Sequence, residues 1–421
     1  MHNLLIVIAK RICSINSVDI IRLLKVYSMR LLKIVPLEWG RHSRNIRELN
    51  AYKELGVDVV VIDKGKLGVF FKKRLADGFP IYDITTRPLG SKAPVLLNRY
   101  LSVLVWAYYV RKLKPDVIDG HNLMALQIGY LPYILTPKKK RPKFIYDSHE
   151  FELALVAHHG EKKARKVAKL EKYFMQRVAF STMICDGIAD EVQRIHSLNE
   201  RPVVIRSTPD YWALDRAIVD KIRNEYQERL HISEDAFIVE YHGYIQEYRG
   251  LEEILEAIAL VKDVYLVIIG DAQRDSYEKS IERKIVSLDI SDRILRYHAM
   301  PLEKLKNYLA AVDCGLVMNN GDNPNYYFAL PNKFFENIQA MNPVICSDLP
   351  EMAHIVNKYD IGILVPYGQP KEIAEAINKM RIDKEQYIRF KQNIIKAKED
   401  LCWENEKKIL KETFKEKILK E

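Results

Sequence analysis

The stretch AFIVEYHGYIQEYRGLEEILEAIALV, residues 236–261, decides the fold class. It begins with apolar and β-branched residues that are typical of a buried strand. A loop with glycine at both ends follows, and it leads into LEEILEAIALV, whose apolar residues recur with the spacing of an amphipathic helix. A strand followed directly by such a helix is part of a parallel β-α-β unit. The stretch therefore predicts an α/β domain with a parallel sheet.

The same alternation of short strands and helices runs through both halves of the chain. VDVVVID, DVIDGHN and KFIYDSHE are strands of the first half, and YLVIIGD, CGLVMN and PVICS are strands of the second. A chain of 421 residues is too long for one hydrophobic core. We therefore predict two doubly wound parallel-sheet domains in series. The predicted parts are an amphipathic extension (1–28), a first domain (29–209), a polar linker (210–234), a second domain (235–400) and a C-terminal helix (401–421) that packs back on the first domain.

Two segments of the second half have residues suited to binding a phosphate. In the first segment, Gly243 ends a strand and lets a ligand approach the backbone, and Arg249 just before a helix can pair with phosphate oxygens. In the second, PNKFFENIQA, a helix is predicted to begin at Asn332 after a proline in the first helical position, and its free amides and Lys333 favour an anion. Glu336, one turn further, can accept hydrogen bonds from sugar hydroxyls. The alternatives are a plain strand-to-helix turn and a surface helix with an exposed Asn-Lys pair.

Histidines follow two predicted strands of the first domain. His121 with Asn122 ends one strand, and His149 with Glu150 ends another. Ligands of parallel sheets bind beyond the carboxyl ends of the strands. Two histidines at matching strand ends therefore indicate a functional site, although a single histidine is more often a packing residue.

Composition and charge narrow the class of protein. Hydrophobic residues at 48% and charged residues at 29% are typical of a soluble globular protein, and five separated cysteines suit a reducing cytosol. The net charge of +10 indicates an anionic partner. Basic residues gather at 138–143 and 162–169 without interleaved aromatic residues, which favours an anionic membrane surface over nucleic acid. We expect a cytoplasmic protein that is peripheral at the inner face of the membrane.

These segments, taken in order, resemble the retaining glycosyltransferases of family 4 (glycosyl transferases group 1). The resemblance implies the GT-B fold, in which two Rossmann-like domains face each other across a cleft. The resemblance covers nearly the whole chain from about residue 29 and includes IYDSHE, the G-x5-R-G loop, LPNKFFE and PVICSDLPE. It implies a UDP- or GDP-sugar as donor, with no cofactor and no metal. It also implies a lipid-linked or polysaccharide acceptor in surface glycan biosynthesis.

The resemblance further implies a role for each matching residue. Glu336 and His149 are the expected catalytic residues, since His149 corresponds to a histidine that contacts the transferred sugar. The implied donor-binding residues are Gly243, Arg249, Asn332, Lys333 and Glu336, and the implied sugar contacts are Asn325, Glu150 and His121.

Three positions depart from the family pattern. Phe328 stands where a second glutamate is usual, Tyr244 where a basic residue is common, and Asn342 where a glycine precedes the last motif's proline. Asparagine tolerates the left-handed conformation expected at that helix end. Two other functions stay open: a nucleotide-sugar epimerase of the same fold, and a catalytically silent subunit that binds sugar or membrane, which Phe328 favours.

Overall fold

The computed structural model describes residues 29–36, 43–65, 71–157, 160–322 and 324–420. By their contacts, these residues fall into two compact units. Unit 1 extends to Ile184 and includes Ile188–Ile205 and Lys407–Glu421, and unit 2 comprises Cys185–Gly187 and Arg206–Glu406. The amphipathic extension predicted for residues 1–28 lies outside the described residues.

Unit 1 is built on an eight-stranded sheet. Its strands are β1 (Arg30–Val35), β2 (Asp58–Gly65), β3 (Lys72–Ala76), β4 (Phe79–Thr85), β5 (Val117–Gly120), β6 (Lys143–Asp147), β7 (Phe180–Met183) and β8 (Val203–Val204). They lie in the order β3-β4-β2-β1-β5-β6-β7-β8, and all neighbours are parallel except β3 and β4. The strand order reverses beside β1, so the carboxyl ends of β1 and β5 mark the crevice where such sheets bind ligands.

The helices of unit 1 alternate with these strands. They are α1 (Ser43–Glu54), α2 (Val95–Leu113), α3 (Leu123–Ile134), α4 (Glu152–Ala157), α5 (Glu161–Met175) and α6 (Asp186–His196). Every residue of β5 and β7 is buried. Near-continuous burial is what parallel strands covered by crossover helices require.

The hairpin formed by β3 and β4 was not among the predicted elements. Asp77 and Gly78 form its turn, with positive φ angles of 51° and 75°. Positive φ at both central residues matches a type I′ turn, for which Asp-Gly is a preferred pair. The turn signal was therefore present in the sequence. However, β3 has three exposed residues among its five and lacks the apolar pattern of a buried strand.

Helix α2 has an exposed apolar face. It is 19 residues long and contains no acidic residue. The apolar residues that it exposes are Val95, Leu96, Leu97, Tyr100, Leu104 and Tyr108. Nevertheless, none of the described helices combines the length and the apolar composition that a bilayer-spanning segment needs.

Unit 2 contains a second sheet, with strands β9 (Phe237–His242), β10 (Val264–Ile269), β11 (Ile294–Tyr297), β12 (Cys314–Val317), β13 (Val344–Ser347) and β14 (Gly362–Val365). The sheet is wholly parallel, in the order β11-β10-β9-β12-β13-β14. The helices of this half are α7 (Arg216–Leu230), α8 (Leu251–Leu260), α9 (Asp275–Ser287), α10 (Leu302–Ala310), α11 (Pro324–Tyr327), α12 (Asn332–Gln339), α13 (Pro350–Tyr359), α14 (Pro370–Ile382), α15 (Lys384–Asp400) and α16 (Trp403–Phe414). The two parallel sheets confirm the predicted doubly wound α/β architecture. The order reverses between β9 and β12, whose carboxyl ends mark the crevice of unit 2.

The polar linker predicted for residues 210–234 is wrong, because α7 occupies most of it. The helix begins after Asp215, whose side chain accepts hydrogen bonds from two first-turn amides. On one face, Ile222, Tyr226 and Leu230 are spaced four residues apart and are buried in a core cluster of unit 2. Seven of the fifteen residues of α7 are charged, and this density of charge masks the apolar face in the sequence.

The end of the chain returns to unit 1. The buried rings of Phe414 and Tyr52 lie 4.8 Å apart between centroids. Lys407 and Lys411 each form an ion pair with Glu54 at 3.0 Å. A π-helical turn, Lys415–Leu419, follows α16. Residues from 407 onward are therefore part of the first unit's packing.

Candidate functional site

A cavity of about 500 Å³ lies at the carboxyl end of β9 in unit 2. This is where the reversal of strand order places a ligand crevice. The loop after β9, the ends of β10 and β11 and the start of α12 contribute to its wall. The lining residues are His242, Gly243, Tyr244, Arg249, Ile269, Gly270, Asp271, Ala299, Met300, Leu305, Pro331, Asn332, Lys333 and Glu336. The structure thus brings the five residues predicted to bind the donor into one cavity.

Two glycines shape the loop between β9 and α8. Gly243 has a φ of 108°, and a Cβ at this position would meet no atom within 4 Å. Gly250 has a φ of 76°, and its Cβ would lie 2.1 Å from the Met318 Cβ. Residues that carry a side chain rarely adopt such positive φ angles. Gly250 is therefore needed for close packing, whereas Gly243 leaves its backbone open to a ligand.

Lys333 is buried, with 5% of its surface exposed. Among the described residues, its Nζ has no hydrogen-bond partner, and it lies 4.6 Å from the centroid of the Tyr241 ring. Burial and the nearby Arg249 guanidinium lower the pKa of Lys333 to about 7. An unpaired buried cation is costly, and an anion in the cavity would offset that cost. The alternative of an exposed Asn-Lys pair is wrong for Lys333, whereas Asn332 is exposed.

Arg249 adds a second cation to the cavity wall. It is half-buried, and its guanidinium forms no hydrogen bond or ion pair within the described ranges of the chain. Pro331 is the cap residue of α12, not its first helical residue as expected, and it provides no side-chain hydrogen bond to the helix. The first amides of α12, those of Asn332 and Lys333, therefore lack internal acceptors and favour a negative charge.

Glu336 belongs to a buried hydrogen-bonded chain that the sequence analysis missed. Its Oε2 lies 2.7 Å from Nε2 of His242, and Nδ1 of His242 lies 2.8 Å from Oε2 of Glu240. Burial alone would lower the pKa of His242, but the carboxylates of Glu240 and Glu336 raise it to about 9. The available signal was the EYH sequence of β9, because two polar residues at alternate positions of a buried strand point to the same side.

In unit 1, the two predicted histidines lie together, with ring centroids 4.0 Å apart. Nε2 of His149 is 2.7 Å from Oδ2 of Asp147, which orients the ring. His121 is buried, and Glu150 is exposed. Asn122 caps α3 by accepting a hydrogen bond from an amide of its first turn. Of the residues at these two strand ends, Asn122 thus has a structural role.

Asp147 is surrounded by donors. Its Oδ1 accepts hydrogen bonds from Arg44 Nη2 at 3.0 Å and Thr182 Oγ1 at 2.8 Å, and its Oδ2 accepts one from Lys33 Nζ at 2.6 Å. Burial would raise the pKa of Asp147, but His149, Lys33 and Arg44 hold it well below its usual range. Asp147 is therefore a stable anion beside His149.

Lys33 is a further residue that the sequence analysis missed. It is fully buried in β1 and also bonds to Glu48 at 3.3 Å and to Asp119 at 3.1 Å. Burial raises the pKa of Asp119 to about 7. The signal was a single lysine inside the apolar run LLKIV, which a buried strand tolerates only when the charge is paired.

His121, Asp147 and His149 place potential metal-ligand atoms within 4.8 Å of one another. However, each carboxylate oxygen of Asp147 already accepts two hydrogen bonds. These bonds use the lone pairs that a metal ion would need. The arrangement fits a carboxylate that orients an imidazole better than it fits a metal site.

Two residues singled out near α12 lie apart from the cavity wall. Asn325 is half-buried in the short helix α11. Phe328, at the position of the usual glutamate, is half-buried, and its ring meets that of Tyr327 edge-on at 5.1 Å. Neither Asn325 nor Phe328 lines the cavity.

The end of α12 also differs from the expectation. Met341, not Asn342, has the left-handed conformation, with a φ of 67°. Asn342 is buried, and its Nδ2 donates to the carbonyl of Leu309 at 2.7 Å and to Oδ1 of Asn337 at 3.1 Å. The asparagine therefore stabilises the turn through its side chain.

The sequence of this chain is similar to those of named glycosyltransferases. Residues 222–397 match the sequence profile of the family described as Glycosyl transferases group 1. TuaC of Bacillus subtilis, assigned to teichuronic acid biosynthesis as a glycosyltransferase, is 20% identical over 380 residues, covering 85% of this chain and 88% of TuaC. LpsE of Rhizobium meliloti, a lipopolysaccharide core biosynthesis glycosyltransferase, is 25% identical over 229 residues. That match covers 53% of this chain and 61% of LpsE, less than two thirds of its length.

Solved structures are similar over most of the chain. HepE of Anabaena, in complex with UDP, has a TM-score of 0.72 at 16% identity and covers 92% of this chain and 100% of HepE. Sucrose-phosphate synthase of Thermosynechococcus elongatus has a TM-score of 0.70 at 16% identity, over 92% of this chain and 98% of the synthase. The fold is that of the GT-B class, with two Rossmann-like domains. Within that class, the match to Glycosyl transferases group 1 covers residues 222–397, which lie in unit 2.

Proposed function

We propose that the protein is a retaining glycosyltransferase of family 4 that takes its sugar from a nucleotide-diphosphate donor bound in unit 2. The main support is the buried Lys333 beside Arg249, because neither cation has a hydrogen-bond partner in the described part of the chain. A diphosphate offers the two or more negative charges that such a pair favours. HepE, which has the same fold, was solved with UDP and with UDP-glucose.

In this proposal, the diphosphate lies against the backbone of Gly243, the first amides of α12 at Asn332, and the side chains of Arg249 and Lys333. Glu336 accepts hydrogen bonds from the ribose hydroxyls. When the bond from the sugar to the diphosphate oxygen breaks, that oxygen gains negative charge. The two cations stabilise this charge most in the transition state, which is how they lower the barrier. They supply the stabilisation that a metal ion gives in other enzymes, so we infer metal-independent transfer of a hexose-like sugar from a UDP- or GDP-sugar.

His149 is the proposed catalytic residue of unit 1. Its hydrogen bond to Asp147 fixes the ring, and the cations around Asp147 keep that carboxylate ionised. The proposed role of His149 is to contact the transferred sugar near the reacting carbon. His121, Glu150 and Asn325 are proposed as weaker sugar contacts.

The proposed acceptor is a lipid-linked or polysaccharide glycan of the cell surface. The names of TuaC and LpsE, which refer to teichuronic acid and to lipopolysaccharide core, support this class of acceptor. A lipid-linked acceptor is held at a membrane by its lipid. We therefore propose that the protein is cytoplasmic and binds peripherally to the anionic inner face.

Two features of unit 1 support the membrane proposal. The 3-10 turn Lys138–Lys140 and the helix α5 expose basic residues, and α2 exposes apolar ones. Basic side chains near anionic lipids and apolar side chains inserted at the interface act together in peripheral binding.

The donor proposal is tested by replacing Arg249. Charge-assisted hydrogen bonds contribute roughly 1.5 to 3 kcal/mol, so Arg249→Ala should weaken UDP or GDP binding by about tenfold to a hundredfold. The melting temperature should not change. As a matched control, Arg274→Ala removes an exposed arginine that pairs with Glu247 outside the cavity, and binding should stay at the wild-type level. An Arg249→Ala variant that binds as tightly as wild type would contradict the proposal.

A second experiment distinguishes sugar transfer from epimerisation. Release of the nucleotide from its sugar only when an acceptor is present would indicate transfer.

A further inference from the structure

A histidine lies between two carboxyl groups at the inner wall of the cavity. His242 is 3% exposed, with Glu240 2.8 Å from Nδ1 and Glu336 2.7 Å from Nε2. An ionised carboxylate only accepts hydrogen bonds, so both ring nitrogens donate when Glu240 and Glu336 are ionised. The imidazole that satisfies both contacts is therefore the doubly protonated, positively charged form.

Glu240, the carboxylate of this hydrogen-bonded series that lies farther from the cavity, is held in place by its neighbours. Glu240 is fully buried, and its Oε1 accepts a hydrogen bond from Asn337 Nδ2 at 2.6 Å. Asn337 is also fully buried and accepts a hydrogen bond from Asn342 at 3.1 Å. Glu240 and His242 come from β9, whereas Glu336 and Asn337 come from α12. These hydrogen bonds therefore connect α12, which lines the cavity, to β9, whose carboxyl end lies at the cavity.

Glu336, at the other end of the hydrogen-bonded series, lines the cavity. The Glu336 side chain is 15% exposed, and Oε2 is the oxygen that contacts His242. A carboxylate with one oxygen fixed in this way has a set rotamer. Its other oxygen, Oε1, is left to accept hydrogen bonds from a ligand in the cavity.

We propose that His242 is a positioning residue that holds Glu336 in one orientation, so that Oε1 of Glu336 binds the ribose 2′-hydroxyl of the donor nucleotide. The inference rests on the proposed function, because it needs a nucleotide in the cavity of unit 2. Its consequence is selection of ribonucleotides over 2′-deoxyribonucleotides. His242 contributes to this selection without itself binding the ribose.

The ratio of dissociation constants for a 2′-deoxynucleotide and its ribonucleotide isolates this contact. UDP with 2′-deoxy-UDP, and GDP with 2′-deoxy-GDP, are the probes, and the pair that binds wild type more tightly is used. Within a pair, the base and the diphosphate are the same. The titration of the base and the diphosphate, and that of Lys333 in the cavity wall, therefore cancels in the ratio.

Wild type should prefer the ribonucleotide by about tenfold or more, as a hydrogen bond to a charged group provides. Glu336→Gln and His242→Gln should both bring the ratio close to one. His354→Gln, which changes an exposed histidine of α13, should keep the wild-type ratio. A His242→Gln protein with the wild-type ratio would overturn the inference, and so would a wild-type ratio of one.

A pH profile separates positioning from a merely structural role. The groups that face His242 are Glu240 on its own strand and Glu336 on α12, and they raise its pKa to about 9. The wild-type ratio should therefore be constant near neutral pH and fall as the pH rises through about 9. Glu240→Gln removes one of the two charges, so the fall should move to lower pH. A profile that stays flat in wild type, or that Glu240→Gln does not move, would contradict the inference.

Failure of the donor proposal gives a different result. In that case wild type binds neither UDP nor GDP, whereas failure of the inference leaves nucleotide binding intact.

Discussion

At the scale of single residues, the pKa values of two buried basic groups of the same cavity shift in opposite directions. The pKa of Lys333 is lowered to about 7, whereas that of His242 is raised to about 9. Both side chains are buried, so burial alone does not explain the difference. His242 lies between two carboxylates, and Lys333 has Arg249 as its neighbour. The charged state of each group follows from its neighbours.

The shift of Lys333 predicts that nucleotide binding takes up a proton. In the free protein, Lys333 is mostly neutral above its pKa of about 7. A diphosphate stabilises the charged form and raises this pKa, so the bound protein holds a proton that the free protein lacks. Uptake should approach one proton per site at a pH of about 8 to 9, between the lowered pKa and the ordinary lysine value. Titration calorimetry in buffers of different ionisation enthalpy measures it.

A matched pair of variants assigns the proton. Lys333→Met should abolish the uptake. Lys398, on α15, is also buried, with its pKa lowered by burial to about 8, but it does not line the cavity. Lys398→Met should therefore retain the uptake. Equal proton uptake in wild type and Lys333→Met would contradict the account.

The positions of individual residues explain why the sequence predicted only part of the site. Gly243, Arg249 and Glu336 stand at a strand end or a helix start, where local sequence rules place ligands. Lys33 lies inside β1, and His242 is the last residue of β9; in both strands the apolar pattern hides the polar residue. Their partners are distant in sequence: Lys33 bonds to residues 86 and 114 positions away, and His242 to one 94 positions away. Only the folded sheet brings these groups together.

At the scale of helices and strands, the sequence predicted those elements whose apolar residues recur with a clear helical or strand period. The strand β9, the loop after it and the helix α8 follow the predicted order, because each has a clear apolar pattern. Helix α7 was missed because charge covers most of its surface, and the β3–β4 hairpin because an edge strand lacks a continuous apolar run. Both failures reflect elements whose apolar signal is weak.

The loop between β9 and α8 gives a prediction at this scale, since its two glycines have different reasons to be glycine. Gly250→Ala would place a Cβ against Met318, so it should destabilise the protein by about 3 kcal/mol or more. Gly243→Ala meets no neighbouring atom and should cost only backbone strain, about 1 to 3 kcal/mol. However, it should weaken nucleotide binding. Thermal and denaturant unfolding, together with nucleotide titration, measure both effects.

Gly368 is the control for backbone strain. It has a φ of 73° and also meets no atom within 4 Å, but it does not line the cavity. Gly368→Ala should cost about as much stability as Gly243→Ala and leave binding unchanged. If Gly243→Ala bound nucleotide like Gly368→Ala, the open backbone at Gly243 would not contact the ligand.

At the scale of the whole molecule, the net charge of +10 and the exposed face of α2 point to the same partner. Each cation near an anionic surface contributes on the order of 1 kcal/mol, so several basic residues suffice for reversible attachment. Cosedimentation with vesicles should increase with anionic lipid and decrease with salt. Leu96→Glu with Leu104→Glu should weaken it, because charges then replace apolar residues of α2.

Val286 and Ile382 provide the control for these vesicle experiments. Val286 is 71% exposed on α9, and Ile382 is 68% exposed on α14, both in unit 2. Val286→Glu with Ile382→Glu therefore adds the same charge away from α2. The sedimentation of this variant should match that of wild type. Binding that ignores lipid charge and salt, or no binding to anionic vesicles, would contradict the membrane proposal and leave the donor site untouched.

The central claim is that the cavity of unit 2 binds the diphosphate of a nucleotide through Lys333 and Arg249, and its most direct test is the dissociation constant of UDP and GDP for wild type, Lys333→Met and Lys398→Met. The account predicts that wild type and Lys398→Met bind one of these nucleotides equally well. Lys333→Met should bind it at least about tenfold more weakly, with a melting temperature no lower than wild type, because an unpaired buried cation has been removed. Wild type that binds neither nucleotide, or a Lys333→Met variant that binds as tightly as wild type, would contradict the claim.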